Sequence, residues 1–278
     1  MYTYNFIVKT INKIKKLIKA IRNKNREGDF LLGLYIHIPF CVQKCKYCDF
    51  NSYKMIVNEK DRFLSDLKKE MALYKNKDRK INSIFFGGGT PSILNNNDMQ
   101  FIMDEIKENF SIDEDAEISM ECNPGTLTED KLKFMRSIGV NRLSIGLQAV
   151  QENLLRYIGR IHNYEQFEKN YLEARKVGFK NINIDLMYNL PHQTFEDWKE
   201  TLHKIVSLNP EHISAYSLIL EEGTKLYDMY MKKEFDLGDE DEDIKMYEYA
   251  INYLKENGYN QYEISNYAKV GYECKHNI

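Results

Sequence analysis

Tyr35-Ile-His-Ile-Pro-Phe-Cys41-Val-Gln-Lys-Cys45-Lys-Tyr-Cys48-Asp-Phe50 places three of the chain's five cysteines within eight residues, on the loop that follows an apolar strand. Thiolates this close in sequence can converge on one soft metal centre, whereas a disulfide among them would use two and constrain almost nothing. Iron–sulfur clusters usually take four cysteines, and structural zinc takes four ligands from Cys and His. The local supply is three. His37 precedes the loop on the strand, where side chains alternate, so it is expected to point away from the cysteines. Three protein ligands leave a coordination position open, which is the arrangement of a reactive centre. The alternative is a zinc knuckle completed by Cys122, Cys274 or a histidine.

The rest of the chain fits an α/β protein. With 278 residues and 43% hydrophobic content it can bury a substantial core in one large domain. Clustered cysteines and the lack of a secretory leader point to a reducing cytoplasm, and no apolar run approaches the roughly 20 residues of a membrane span. No nucleic-acid partner is expected. Residues 1–26 differ in character: they carry eight Lys or Arg and no acid, so the overall charge of −3 leaves −11 for the remainder. Ile7, Ile11, Ile14, Ile18 and Ile21 recur at helical spacing, with the basic residues largely on other faces. This describes a basic N-terminal helix, an amphipathic extension over 1–30 able to touch an anionic membrane surface or an acidic partner. A solvated extension, or a start upstream of the true one, is the other reading.

Beyond it, strand and helix signals alternate. Apolar runs at 31–38, 81–86, 117–120, 142–147, 181–188 and 212–220 predict buried strands, with helices near 59–75, 98–109, 128–138, 163–177 and 195–208. Thr126 with Glu129 and Asn163 with Gln166 read as helix starts, Gly139 and Gly178 as helix ends. Six βα units imply a parallel sheet with helices outside it, either an open sheet or a barrel.

Sites on such sheets gather at the carboxyl ends of the strands. There the chain offers Gly87-Gly88-Gly89-Thr90, where a ligand can approach backbone without meeting a Cβ. Glu121 follows the third strand and can accept hydrogen bonds from ribose hydroxyls or a ligand ammonium. Gln148 and, twelve residues on, Arg160 supply an amide and a guanidinium suited to a carboxylate. Asp185 is the single charge in the fifth apolar run.

Cys41-x-x-x-Cys45-x-Tyr47-Cys48 resembles the signature of the radical S-adenosylmethionine (SAM) superfamily. That resemblance implies a six-stranded partial (β/α) barrel, over residues 31–278. It also implies a [4Fe-4S] cluster on Cys41, Cys45 and Cys48, with S-adenosylmethionine chelating the fourth iron and cleaved to an adenosyl radical when the cluster is reduced. His37-Ile-Pro-Phe, Gly87-Gly-Gly-Thr-Pro-Ser, Arg142-Leu-Ser-Ile-Gly-Leu-Gln, Asn183-Ile-Asp-Leu and Tyr262-Glu-Ile-Ser-Asn resemble its coproporphyrinogen oxidase-like branch, which also holds heme chaperones. Carried over by motif, Tyr35, Gly88 and Glu121 would contact the cluster-bound S-adenosylmethionine. Tyr47, Gly89, Thr90, Gln148, Arg160 and Asp185 match positions that line a second molecule of it. The oxidase pattern has a further cysteine two residues after the third, tied to its decarboxylation chemistry. Here that position is Phe50, which can neither ligate nor exchange hydrogen atoms as a thiol does. Cys48-Asp-Phe-Asn-Ser instead resembles the chaperones, as does His276-Asn277, the start of their H-N-x-x-Y motif, in which the histidine is a natural axial ligand for heme. The resemblance thus implies a cluster-bearing heme carrier, with heme-accepting proteins as partners and a C-terminal region that relatives carry beyond this point. Oxygen-independent coproporphyrinogen III oxidase is the alternative.

Overall fold

Period-two alternation along the central strands sets the architecture of the computed structural model, which describes residues 32–278. The chain divides into residues 1–32 and residues 33–278. The expected basic helix lies outside the described residues. The strands are β1 (Leu32–Ile38), β2 (Phe40–Cys41), β3 (Tyr53–Lys54), β4 (Asn76–Gly88), β5 (Phe110–Cys122), β6 (Arg142–Gln148), β7 (Ile182–Tyr188) and β8 (His212–Ser217), then β9 (Asn260–Glu263) and β10 (Asn266–Ala268). The helices are α1 (Val57–Leu73), α2 (Asn96–Asn109), α3 (Glu129–Ser137), α4 (Glu152–Tyr157), α5 (Tyr164–Val177), α6 (Phe195–Ser207), α7 (Lys225–Met231) and α8 (Glu240–Glu256).

One sheet runs in the order β1-β4-β5-β6-β7-β8-β10-β9. Strands β4 to β8 pair in parallel, as the alternation of strands and helices predicts. β10 is antiparallel to both β8 and β9, so a hairpin extends the six expected strands to eight. That hairpin contains the Tyr262–Asn266 phrase. The small second sheet pairs β2 with β3 through Phe40 opposite Tyr53 and Cys41 opposite Lys54, which joins the two ends of the cysteine loop.

Leu143, Ile145, Ile182, Ile184, Leu186, Ile213 and Ala215 are buried on one face of the central strands. The neighbouring positions on the other face are Arg142, Ser144, Asn183, Asp185, His212 and Ser214, and they bond to one another or to adjacent strands. A buried polar face is tolerable only when its members satisfy each other, and this one largely does. The apolar face carries the helices.

Local signals fix the helix ends. Asn163 and Gln166 form the expected capping box on α5, and Gly178 closes it at φ 101°. On α3 the cap is Thr128, which accepts from the Lys131 amide; Thr126 is diverted to the Asn123 carbonyl and to Ser92. Helix α6 buries Trp198, Thr201, Leu202 and Ile205, one face at i, i+3, i+4 and i+7. Trp198 holds the outer helix α8 by donating its indole N–H to the Met246 carbonyl at 2.9 Å. Among the described residues no helix is long and apolar enough to cross a membrane.

Replacing fully buried Trp198 tests this outer packing. Trp198→Phe is expected to cost about 1–3 kcal/mol, since it leaves a buried carbonyl without its donor. Trp198→Ala is expected to cost roughly 3–5 kcal/mol through the added cavity. Denaturant unfolding monitored by circular dichroism reads both.

Candidate cluster and ligand site

The cysteine loop is pinned at several points. The Lys46 amide donates to the Ile158 carbonyl at 2.9 Å, and the Lys46 carbonyl accepts from the Leu226 amide at 2.8 Å. Gln43 reaches the Gly159 carbonyl at 3.1 Å, and Lys44 the Phe50 carbonyl at 2.9 Å. On the other side the Gly89 amide bonds the Ile38 carbonyl at 2.7 Å and the Thr90 amide bonds the Phe40 carbonyl at 2.8 Å. A Cβ at Gly89 would lie 2.6 Å from the Phe40 oxygen, so only glycine lets the turn after β4 come this close to the strand that leads into the loop.

These contacts gather one cavity of about 520 Å³ at the carboxyl ends of the strands, within the ~300–1,000 Å³ of small-molecule sites. Cys41, Cys45 and Cys48 line it together with Tyr47, Gly88, Gly89, Thr90, Glu121, Gln148, Arg160 and Asp185. All five cysteines are free thiols. Cys274 instead bonds buried Glu117 at 3.5 Å, and Cys122 the Met120 carbonyl at 3.4 Å. The three loop thiols line the cavity without closing on one point, and among the described residues no three His, Cys, Asp or Glu side chains do so. The thiolates of a cubane cluster each bind a different iron, so they need only ring a common space.

Arg160 crosses the cavity wall. Its guanidinium donates to Cys45 Sγ at 3.6 Å, to Asn123 Oδ1 at 2.9 Å and to the Gly146 carbonyl. Its Nε is buried without a partner. Burial opposes the Arg160 charge, but the Tyr47 phenol and Cys45 thiol hold its pKa above the ordinary value. Burial also pushes the Tyr47 phenol up, against the pull of Arg160. Gln148 takes a left-handed φ of 74°, next to a register shift between Gly146 and Gln148 in the β6–β7 ladder. The irregularity turns its side chain inward, where it donates to the Tyr216 hydroxyl at 3.3 Å. Such a backbone state costs of the order of 1–3 kcal/mol and persists only where the surroundings enforce it.

Glu121 accepts the Gly88 amide at 3.0 Å. Burial, then the Asp185 charge, pushes its carboxyl up to about 8, against the Gly88 amide and Arg142. Asp185 is held by Ser144 at 3.0 Å and Asn183 at 2.7 Å.

Two expected residues lie outside the cavity lining. Tyr35 stacks on Phe85 and on His276, with ring centroids 6.1 and 5.8 Å away, because odd-numbered positions of β1 face the same side as Phe85 at a level below the strand ends. Burial and then the Glu121 charge raise its pKa. His276 also stacks on Phe85 at 5.0 Å. His37 is not in the cavity lining, but it bonds the Asn51 carbonyl at 2.9 Å, on the return of the cysteine loop, and its ring packs over Gly88, so its side chain is directed to the loop rather than away from it. Sequence reasoning passed over Asn123, Ser144, Ser214, Tyr216 and Asn266, which all line the cavity. Ser144 and Asn266 lay inside phrases already singled out; Tyr216 reads as one more apolar strand residue. A separate open groove of about 460 Å³ beside α2 and the end of α3 is apolar except for Lys107 and Ser137.

Residues 35–205 match the model of the radical SAM superfamily. The chain is 40% identical over 247 residues to the heme chaperone HemW of Bacillus subtilis and 43% identical over 252 residues to that of Buchnera aphidicola, covering 88% and 89% of this chain. It spans 65% of the length of each. Coproporphyrinogen III oxidase (HemN) from Escherichia coli superposes with a TM-score of 0.79 at 30% identity, covering 87% of this chain and 56% of that one. The chain therefore belongs to the radical SAM superfamily, and its sheet is the partial (β/α) barrel of that family. Within it, the chain falls with the HemW-type proteins of the branch that includes HemN.

Glu121 generates a pH prediction. Between the ordinary carboxyl value of 4.5 and about 8, the folded cavity keeps a proton that the unfolded chain has released. Stability of the metal-free protein is therefore expected to fall as pH rises through that window. Glu121→Gln is expected to flatten the slope, as read from urea midpoints at a series of pH values. An unchanged slope would remove Glu121 as its source.

Proposed function

We propose that this chain is the barrel of a heme chaperone, one that holds a [4Fe-4S] cluster on Cys41, Cys45 and Cys48, binds S-adenosylmethionine beside it and carries heme to acceptor proteins. The observation that carries this reading is the convergence of those three thiols with Gly88, Glu121, Gln148, Arg160 and Asp185 on a single cavity. A cluster bound there supplies electrons to a ligand sulfonium. The chain's own residues supply the rest. Glu121 offers a carboxylate to a ligand ammonium or hydroxyl, and an ammonium beside it would draw its raised pKa back down. Arg160, in the cavity lining, offers a guanidinium charge to a carboxylate. Asp185, already oriented by Ser144 and Asn183, offers an acceptor to ribose.

Phe50 favours the carrier over the oxidase. It is 56% exposed at the cavity edge, so an apolar ring stands where the oxidase pattern has a thiol. His276 supports the heme side of the reading: burial lowers its pKa, which keeps the imidazole neutral and able to ligate iron near neutral pH. The likeness in fold to HemN keeps coproporphyrinogen III oxidation as the second reading. The cytoplasm is the proposed location, and contact of residues 1–26 with an anionic membrane surface is proposed on their charge pattern alone.

Anaerobic reconstitution separates the two. Wild type is expected to take up iron and sulfide, and Cys45→Ala to lose most of both. With coproporphyrinogen III the reconstituted protein is expected to yield no protoporphyrinogen; several turnovers of product would overturn the chaperone reading. Added heme is expected to give a Soret band that His276→Ala, in the chain extended as its relatives are, loses or shifts. A band unchanged by that substitution would remove His276 as the ligand.

A further inference from the structure

Two of the three loop cysteines receive side-chain hydrogen bonds, and both donors are held by the same residue. Thr90, 3% exposed, points its hydroxyl at Cys41 Sγ, 3.6 Å away. Arg160 points a guanidinium nitrogen at Cys45 Sγ, also at 3.6 Å. Between them lies Asn123, whose Nδ2 donates to Thr90 Oγ1 at 2.8 Å and whose Oδ1 accepts from Arg160 at 2.9 Å.

The direction of every bond in this chain follows from one fact. A guanidinium only donates, so the Asn123 oxygen must face Arg160 and its amino group must face Thr90. Thr90 Oγ1 then receives a proton from Asn123, and its own single proton is left for Cys41. The Asn123 backbone is itself fixed: its N–H donates to Ser92 Oγ at 3.3 Å and its C=O accepts from Thr126 Oγ1 at 2.7 Å. Gly146 makes room for the arrangement, since a Cβ there would lie 2.6 Å from the Arg160 nitrogen and 3.2 Å from Asn123 Oδ1.

We propose that Asn123 is a positioning residue for the cluster: by bridging Thr90 and Arg160 it aims one hydrogen bond at each of Cys41 and Cys45, and so raises the cluster's reduction potential. The proposal rests on reading Cys41, Cys45 and Cys48 as cluster ligands. Donors to ligating sulfurs stabilise the extra negative charge of the reduced cluster, which is how hydrogen bonds outside the ligand set tune such centres.

Asn123→Asp tests it, because a carboxylate only accepts and would draw the Thr90 proton away from Cys41. The added charge also lowers the potential through space, so the same substitution is made in a Thr90→Val background, which has no hydroxyl to turn. Iron and sulfide content is measured first, then the midpoint potential by titration followed with electron paramagnetic resonance. Expected are wild-type iron content in all variants, more negative midpoints in Asn123→Asp and Thr90→Val, and a smaller Asn123→Asp shift when Val occupies position 90. An Asn123→Asp shift of equal size in both backgrounds overturns the proposal. So does a wild-type midpoint in Thr90→Val, which also decides the matter if Asn123→Asp assembles no cluster. Wild-type protein that takes up no iron overturns the cluster reading itself, and the inference with it.

Discussion

The strict alternation of the parallel strands is the constraint on which the rest depends. Each central strand must bury one face under helices and turn the other toward the concave side of the open sheet. Because successive residues point opposite ways, Leu143, Ile145, Ile184 and Leu186 go into the core while Arg142, Ser144, Asn183 and Asp185 meet across strands. A slip of one residue would exchange the two sets and destroy core and cavity together. The β4–β5 ladder shifts register near its start, between Asn76 and Lys80 and between Ile81 and Ser83, whereas the shift between Gly146 and Gln148 in the β6–β7 ladder falls at the strand end that faces the cavity. There the shift aims an amide, while Leu147 within it and Ala149 after it stay buried.

The buried polar face is also why the cavity floor is stiff. Asn183 accepts from His212 and Ser214 and donates to Ser144 and Asp185, so four neighbours fix one amide. Burial and the Arg142 charge lower the His212 pKa to about 2, which leaves a neutral ring that bridges Asn183 and the Tyr262 hydroxyl. Tyr262 in turn accepts the Cys274 amide at 3.1 Å, and Glu117 accepts the Lys275 amide at 3.1 Å. The segment bearing His276 is thereby tied to the floor of the same barrel whose mouth carries the cysteines. Networks of this kind are costly to break at one member, since the partner is left buried and unpaired.

Much of the fold was legible because its strands and helices carry unmixed signals. The six expected strands correspond to β1 and β4–β8, and the five expected helices to α1, α2, α3, α5 and α6. What escaped was either short or lacked an apolar signature. Helix α8 begins Glu240-Asp-Glu-Asp-Ile and buries only Met246, Ala250 and Leu254, so its charged opening hides its periodicity. The β9–β10 hairpin shows burial only at Tyr267 and Ala268, too few positions for a period to appear. Thr128 displaced Thr126 as a cap because Asn123-Pro124-Gly125-Thr126 is a tight turn, with Gly125 at φ 85° and Thr126 bonded back to the Asn123 carbonyl, so the Pro-Gly pair was the local mark that outweighed the capping pattern.

The sequence by itself determined the family and the parallel βα order, and it marked the strand ends as the place to look for a site. Three cysteines at fixed spacing, glycines after a strand and polar residues at strand ends declare their chemistry without coordinates, since residue type and spacing follow from covalent geometry. Only the tertiary structure decided which of those residues share one cavity and which do not. Tyr35 and Glu121 both belong to strands ending near the site, yet Tyr35 turns to Phe85 and His276 while Glu121 faces the cavity. It also decided that Asn123, unremarkable between Cys122 and Pro124, stands between Thr90 and Arg160. Residues 33 to 37 positions apart in the chain meet there because adjacent parallel strands bring their ends side by side, and no local pattern encodes which end meets which.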